Sequence, residues 1–135
     1  MNRRRPHALL LEHDDALRHL LVDALSDLGF AVSSGKGRRQ VLELLLNGAD
    51  VDVILVDLIE SEGGGRALLS FLREQPETAV IPVIVMVDGD PADRPVGAAR
   101  LSKPFGLDDL RAALREALSR TRTTSPPEQA PPEPR

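Results

Sequence analysis

A chain of 135 residues without cysteine is one domain by length and can bury roughly two thirds of its unfolded surface, which excludes a disulfide scaffold and a thiolate metal site. With 2% aromatic residues, the core has to be built from Leu, Val, Ile and Ala. A formal net charge of -4 argues against a nucleic-acid coat, and Arg3-Arg4-Arg5 reads as a solvated basic arm over residues 1–7.

Ala8-Leu9-Leu10-Leu11 predicts a short strand that stops at Glu12-His13-Asp14-Asp15. That break, and the want of any run long enough for a membrane helix, lead to the expectation of a soluble, cytoplasmic protein with no signal peptide and no membrane contact. Leu17, Leu20, Leu21, Ala24, Leu25 and Leu28 follow helical spacing, with Asp14 or Asp15 to cap the first turn and Gly29 where a C-cap glycine belongs. Phe30-Ala31-Val32-Ser33-Ser34 predicts a second strand, polar at its end and suited to a sheet edge. Gly35-Lys36-Gly37 with Gln40 is a fragment of a dinucleotide-binding fingerprint, but the last glycine is missing and the stretch reads as a plain turn. Val41, Leu42, Leu44, Leu45 and Leu46 give a second helix, ended by Asn47-Gly48.

Val51-Asp52-Val53-Ile54-Leu55-Val56-Asp57-Leu58 is apolar without alternation until it meets a carboxylate. Such a run suits a strand buried on both faces, the habit of central strands in parallel sheets. Glu60-Ser61-Glu62-Gly63-Gly64-Gly65 follows; it could cradle a phosphate, but it lacks the Lys-Ser/Thr pair of a P-loop and reads as a loop into a helix carried by Leu68, Leu69, Phe71 and Leu72. Gln75-Pro76 ends that helix, and Ile81-Pro82-Val83-Ile84-Val85-Met86-Val87 is a fourth strand with its proline near the start. Residues 88–97 hold two prolines and two glycines without helical period, so an irregular loop or a single turn is expected there. Ala99-Arg100-Leu101-Ser102 makes a last strand. Leu107, Leu110, Ala113, Leu114, Ala117 and Leu118 make a final helix capped near Asp108, its pattern ending about Ser119.

Five strands alternating with helices imply an α/β fold: a doubly wound, five-stranded parallel sheet of flavodoxin-like order 2-1-3-4-5, with helices on both faces and the fourth helix shortened or absent. The domain is expected over residues 8–119, followed by a disordered, proline-rich tail over 120–135. In that order the first and third strands are neighbours at the switch point, so Glu12, His13 and Asp14, Asp57, and Lys103 converge at the carboxyl ends.

With these residues placed, the sequence resembles the receiver domain of two-component response regulators, over nearly the whole chain up to the tail. Val51 to Leu58 is similar to the phosphoacceptor strand, and Gly65 falls where the family keeps a glycine. Gln75-Pro76-Glu77-Thr78 leading into Ile81-Pro82-Val83-Ile84 is similar to the family's entry to strand four, and Lys103-Pro104-Phe105 matches its lysine motif. The resemblance implies a signalling domain in which Asp57 accepts a phosphoryl group and Lys103 contacts the phosphate. The donor would be a sensor histidine kinase or a phosphotransfer protein. It implies Mg²⁺ as cofactor if phosphorylation is retained and none otherwise, held by Glu12, Asp14 and Asp57. It implies no direct nucleic-acid contact and leaves room for a homodimer.

The departures are coordinated. His13 stands where the family places a carboxylate, and an imidazole is a poor ligand for a hard, oxygen-seeking cation. Asp14 sits one residue late, and His13 itself reads as a solvated loop residue with no transition-metal site expected. At the switch positions, Val87 replaces a hydroxyl residue and Arg100 replaces an aromatic. Two readings therefore stand: a phosphoreceiver with a degraded metal site and switch, and a phosphorylation-independent pseudo-receiver acting through protein contacts. A haloacid dehalogenase type of aspartate nucleophile is set aside, because its second aspartate would fall on Ile59.

Overall fold

The computed structural model of the chain describes residues 5–48, 50–59, 64–88 and 98–124, the last five by backbone alone. Five strands, β1 (His7–Leu11), β2 (Ala31–Gly35), β3 (Val53–Asp57), β4 (Val83–Val87) and β5 (Ala99–Ser102), alternate with α1 (Asp15–Asp27), α2 (Arg38–Leu46), α3 (Gly65–Glu74), α4 (Pro76–Ala79) and α5 (Leu107–Thr124). All neighbouring strands pair in parallel, in the expected order β2-β1-β3-β4-β5.

The strand period of two divides the core. Ala8, Leu10, Val53, Leu55, Ile84 and Met86 face α1 and α5, where they meet Leu21, Leu25, Leu110, Ala113, Leu114 and Ala117. Their chain neighbours Leu9, Leu11, Ile54, Val56, Val85 and Val87 face α2 and α3, against Val41, Leu68, Leu69 and Leu72. Both faces of β1 and β3 are therefore dry, which is why these strands show no polar alternation. Each fully buried aliphatic side chain contributes about 1.5–3 kcal/mol relative to exposure, so the positions of β1 and β3 are set by both layers at once.

Local chemistry sets the element ends. Asp14 caps α1 by accepting the Leu17 amide at 3.1 Å, and Gly29 closes the helix with φ 101°. Gln40 Oε1 accepts the Lys36 amide at 2.7 Å, which makes the Gly35-Lys36-Gly37 stretch the plain turn expected of it. Two elements depart from the pattern. Pro76 starts the one-turn helix α4, where its fixed φ is preorganised, and Thr78 Oγ1 ties that turn to Leu72 O at 2.7 Å. Helix α5 continues to Thr124, beyond the last apolar position; a helix propagates by its own backbone bonds once nucleated and needs no buried face for its final turn. The side-chain cap of α5 comes from Asp109, next to the expected Asp108: from inside the first turn its Oδ2 accepts the amide of Gly106, the residue before the helix, at 2.9 Å. The expectation of a shortened fourth helix falls on residues 89–97, outside the described residues; the disordered tail expected over 120–135 gives way to helix over 120–124, and its remainder, 125–135, lies outside the described residues.

Candidate functional site

Register brings three strand ends to one edge. Leu11 of β1 pairs with Val56 of β3, Asp57 with Met86 of β4, and Val87 with Ser102 of β5. The next residues outward are Glu12 and Lys103, and Lys103 is held to the edge of β4 by its amide on Val87 O at 2.8 Å. Glu12 is fully buried and Asp57 is 3% exposed.

Lys103 Nζ donates to Glu12 Oε1 at 2.9 Å and stands 3.5 Å from Asp57 Oδ1. The Asp14 amide donates to Glu12 Oε2 at 3.1 Å, and the Ile59 amide to Asp57 Oδ1 at 3.0 Å. His13 Nδ1 lies 3.0 Å from Asp57 Oδ2 and 3.7 Å from Glu12 Oε2. Burial pushes the Glu12 carboxyl above its usual range, with the Asp57 charge adding to it, and the Lys103 ammonium and the Asp14 amide only partly offset that. Burial acts in the same sense on Asp57, but the Ile59 amide, His13 and Lys103 outweigh it and hold that carboxyl below its usual range. The two carboxyls thus shift in opposite directions, and Asp57 is the one whose surroundings favour the charged form despite its burial.

The structure brings Asp57, Lys103 and Glu12 together as expected, but not Asp14. Its carboxylate is spent on the α1 cap, and the third donor beside the two carboxylates is His13: one ligand atom each from Glu12, His13 and Asp57 lies within 4.8 Å of the others. His13 is thus no solvated loop residue; its ring is turned onto Asp57. A set with one ring nitrogen does not fit Mg²⁺, which wants oxygen donors in near-octahedral array. Val87 is fully buried at the end of β4, and Arg100 is half-buried on β5 opposite Val85. Beside Lys103 a groove of about 490 Å³ is lined by Leu17, Ile59, Asp88, Lys103, Pro104 and Phe105.

Two contributors escape a reading of side chains: the Ile59 amide, a backbone donor that any residue but proline could supply, and the orientation of His13, whose only signal is adjacency to a strand-end carboxylate. A third, Gly65, acquires a reason. A Cβ there would collide with the Asp57 carbonyl oxygen, so α3 can start against the end of β3 only through a glycine.

No family model matches the chain. The KDP operon transcriptional regulatory protein KdpE of Escherichia coli (strain K12) is 31% identical over 129 residues, covering 90% of this chain and 55% of KdpE. The chain spans about half the length of the curated relatives it matches. Among solved structures, the signal receiver domain of a signal transduction histidine kinase from Syntrophus aciditrophicus superposes with a TM-score of 0.75 at 25% identity, covering 93% of this chain and 98% of that one. Chemotaxis protein CheY4 of Vibrio cholerae shares the fold with a TM-score of 0.77 at 21% identity, covering 84% and 99%. Among the described residues, no helix is long and apolar enough to cross a membrane.

Proposed function

Because the chain belongs to the receiver domains of two-component response regulators, signalling modules rather than enzymes, we propose that it accepts a phosphoryl group on Asp57 from the phosphohistidine of a sensor histidine kinase or phosphotransfer protein. The observation that carries this is a 3% exposed carboxylate at the end of the central strand, held ionised beside a lysine. In the transfer, an Asp57 oxygen attacks phosphorus in line. The new O–P bond forms as the donor's N–P bond breaks, and the electron pair remains on the departing imidazole nitrogen, which takes its proton from solvent. Lys103 is placed to neutralise charge on the transferred oxygens. The Ile59 amide holds the carboxylate in place, and the groove beside Lys103 gives the donor an approach.

The test is incubation of the full chain with acetyl phosphate, first with Mg²⁺ and then with Mn²⁺, read by intact mass. One added phosphoryl group, lost in Asp57→Asn, is the expected result. No adduct with either cation, and no amide shifts near Ile59 and Lys103 on adding beryllofluoride, would overturn the reading in favour of an interaction module that signals without phosphorylation. Amide resonances serve because the chain has no tryptophan or tyrosine to report by fluorescence.

A further inference from the structure

The misfit between the donor set and Mg²⁺ has a constructive side. Each carboxylate has one oxygen tied away from the common centre, Glu12 Oε1 by Lys103 at 2.9 Å and Asp57 Oδ1 by the Ile59 amide at 3.0 Å, while Glu12 Oε2 also accepts the Asp14 amide at 3.1 Å and would offer its second lone pair. The other oxygen of each turns toward His13 Nδ1, at 3.7 Å for Glu12 Oε2 and 3.0 Å for Asp57 Oδ2. Donor atoms bonded to a dication at about 2.1 Å stand about 3.0 Å apart when adjacent in an octahedron and about 3.4 Å apart in a tetrahedron. The His13–Asp57 spacing already matches that of neighbouring ligands, whereas the 3.7 Å from His13 to Glu12 Oε2 lies above both values and has to close on binding. Glu12 and Asp57 are buried and positioned from behind, as outer-shell partners position metal ligands, whereas His13 is 39% exposed and leaves a path for an ion and its remaining waters.

We propose that Glu12, His13 and Asp57 form a mixed nitrogen and oxygen site that selects a borderline late first-row dication, of the Co²⁺ and Zn²⁺ class, over Mg²⁺. The ring nitrogen decides this. Imidazole bonds well to late first-row ions and poorly to Mg²⁺, which also gives up its waters reluctantly. Nearly any site binds Co²⁺ more tightly than Mg²⁺, so the discriminating quantity is how the ratio of the two affinities responds to residue 13.

Equilibrium dialysis of the full chain against Co²⁺ or Mg²⁺ alone, with no phosphoryl donor present, measures that ratio. His13→Asp is expected to shift it toward Mg²⁺ by about tenfold or more, and His13→Ala to weaken Co²⁺ by a similar factor. His19→Ala, which removes an exposed histidine of α1, is expected to change neither affinity. In the wild type, the visible band of bound Co²⁺ should carry the signature of one nitrogen ligand, lost in His13→Ala. An unchanged Co²⁺ affinity in His13→Ala, or an unchanged ratio in His13→Asp, overturns the proposal. Circular dichroism of each variant separates loss of the ligand from loss of the fold. Binding is read without phosphorylation, so a chain that forms the Asp57 adduct but ignores residue 13 refutes this site alone, and a chain that binds Co²⁺ but forms no adduct refutes the phosphoreceiver alone.

Discussion

Lys103→Met keeps the length of the side chain and removes its charge at the centre of the site. Glu12 is fully buried, Asp57 is 3% exposed and Lys103 itself 18%, so the two carboxylates lose the one ammonium that contacts both. Removing one partner of a buried ion pair costs about 3–5 kcal/mol. Lys103 is only partly buried, and both carboxylates keep an amide donor, Asp14 N at 3.1 Å and Ile59 N at 3.0 Å, so the loss should fall near 2–3 kcal/mol at neutral pH, a drop in Tm of about 10 °C for a domain of this size. The pH dependence is the sharper test. The Glu12 carboxyl already sits above its usual range, first by burial, and Lys103 is the main group pulling it down; without Lys103 it rises further. A raised folded-state pKa contributes stability that is present below the unfolded value and lost as pH rises through the folded one. Asp57 is held low, so its contribution is present above its unfolded value, is lost as pH falls through the folded one, and shrinks when Lys103 is removed. Both shifts make the deficit of the variant larger at neutral pH than near the unfolded carboxylate range. Urea unfolding followed by circular dichroism at about pH 7.5 and about pH 4, within the unfolded carboxylate range, measures it. An equal deficit at the two pH values, or none, would show that Lys103 is not the counterion of this pair.

Gly65→Ala should cost about 2–4 kcal/mol, because the new methyl meets the Asp57 carbonyl oxygen and lies 3.2 Å from Val56 Cγ1; urea unfolding checks it, and a change below about 0.5 kcal/mol would mean that α3 and β3 can part without strain. Asp14→Ala should cost about 1 kcal/mol through loss of the α1 cap while leaving Co²⁺ affinity in equilibrium dialysis unchanged. A fall in that affinity would place Asp14 among the ligands after all.

The fold was legible because burial has a period and the sequence carries it. A run such as Val53 to Val56 without polar alternation can only be sandwiched between two layers, and Gly29 and Gly48 stand at the helix ends that need positive φ. Helix α5 outlasts its apolar stripe because a stripe reports contact with the core, whereas the backbone ladder continues without it. The site was legible in part for the same reason: Asp57 and Lys103 were assigned to strand ends, and strand ends converge at the switch point.

What the sequence could not carry is direction. Glu12, His13 and Asp14 are consecutive polar residues at the end of one strand, and no periodicity says which turns inward. The choice is made by partners remote in the chain: Lys103, 91 residues on, takes Glu12, and Asp57, 44 residues on, receives His13. Asp14 is drawn the other way by the nearby Leu17 amide, since a helix start leaves unsatisfied donors that a local carboxylate answers first. Helix capping and site building thus compete for the same short acidic loop. Once Asp14 is committed to α1, the position between the two buried carboxylates falls to an imidazole, and the identity of that one ligand, rather than the number of acidic residues in the loop, sets which cation the site can prefer.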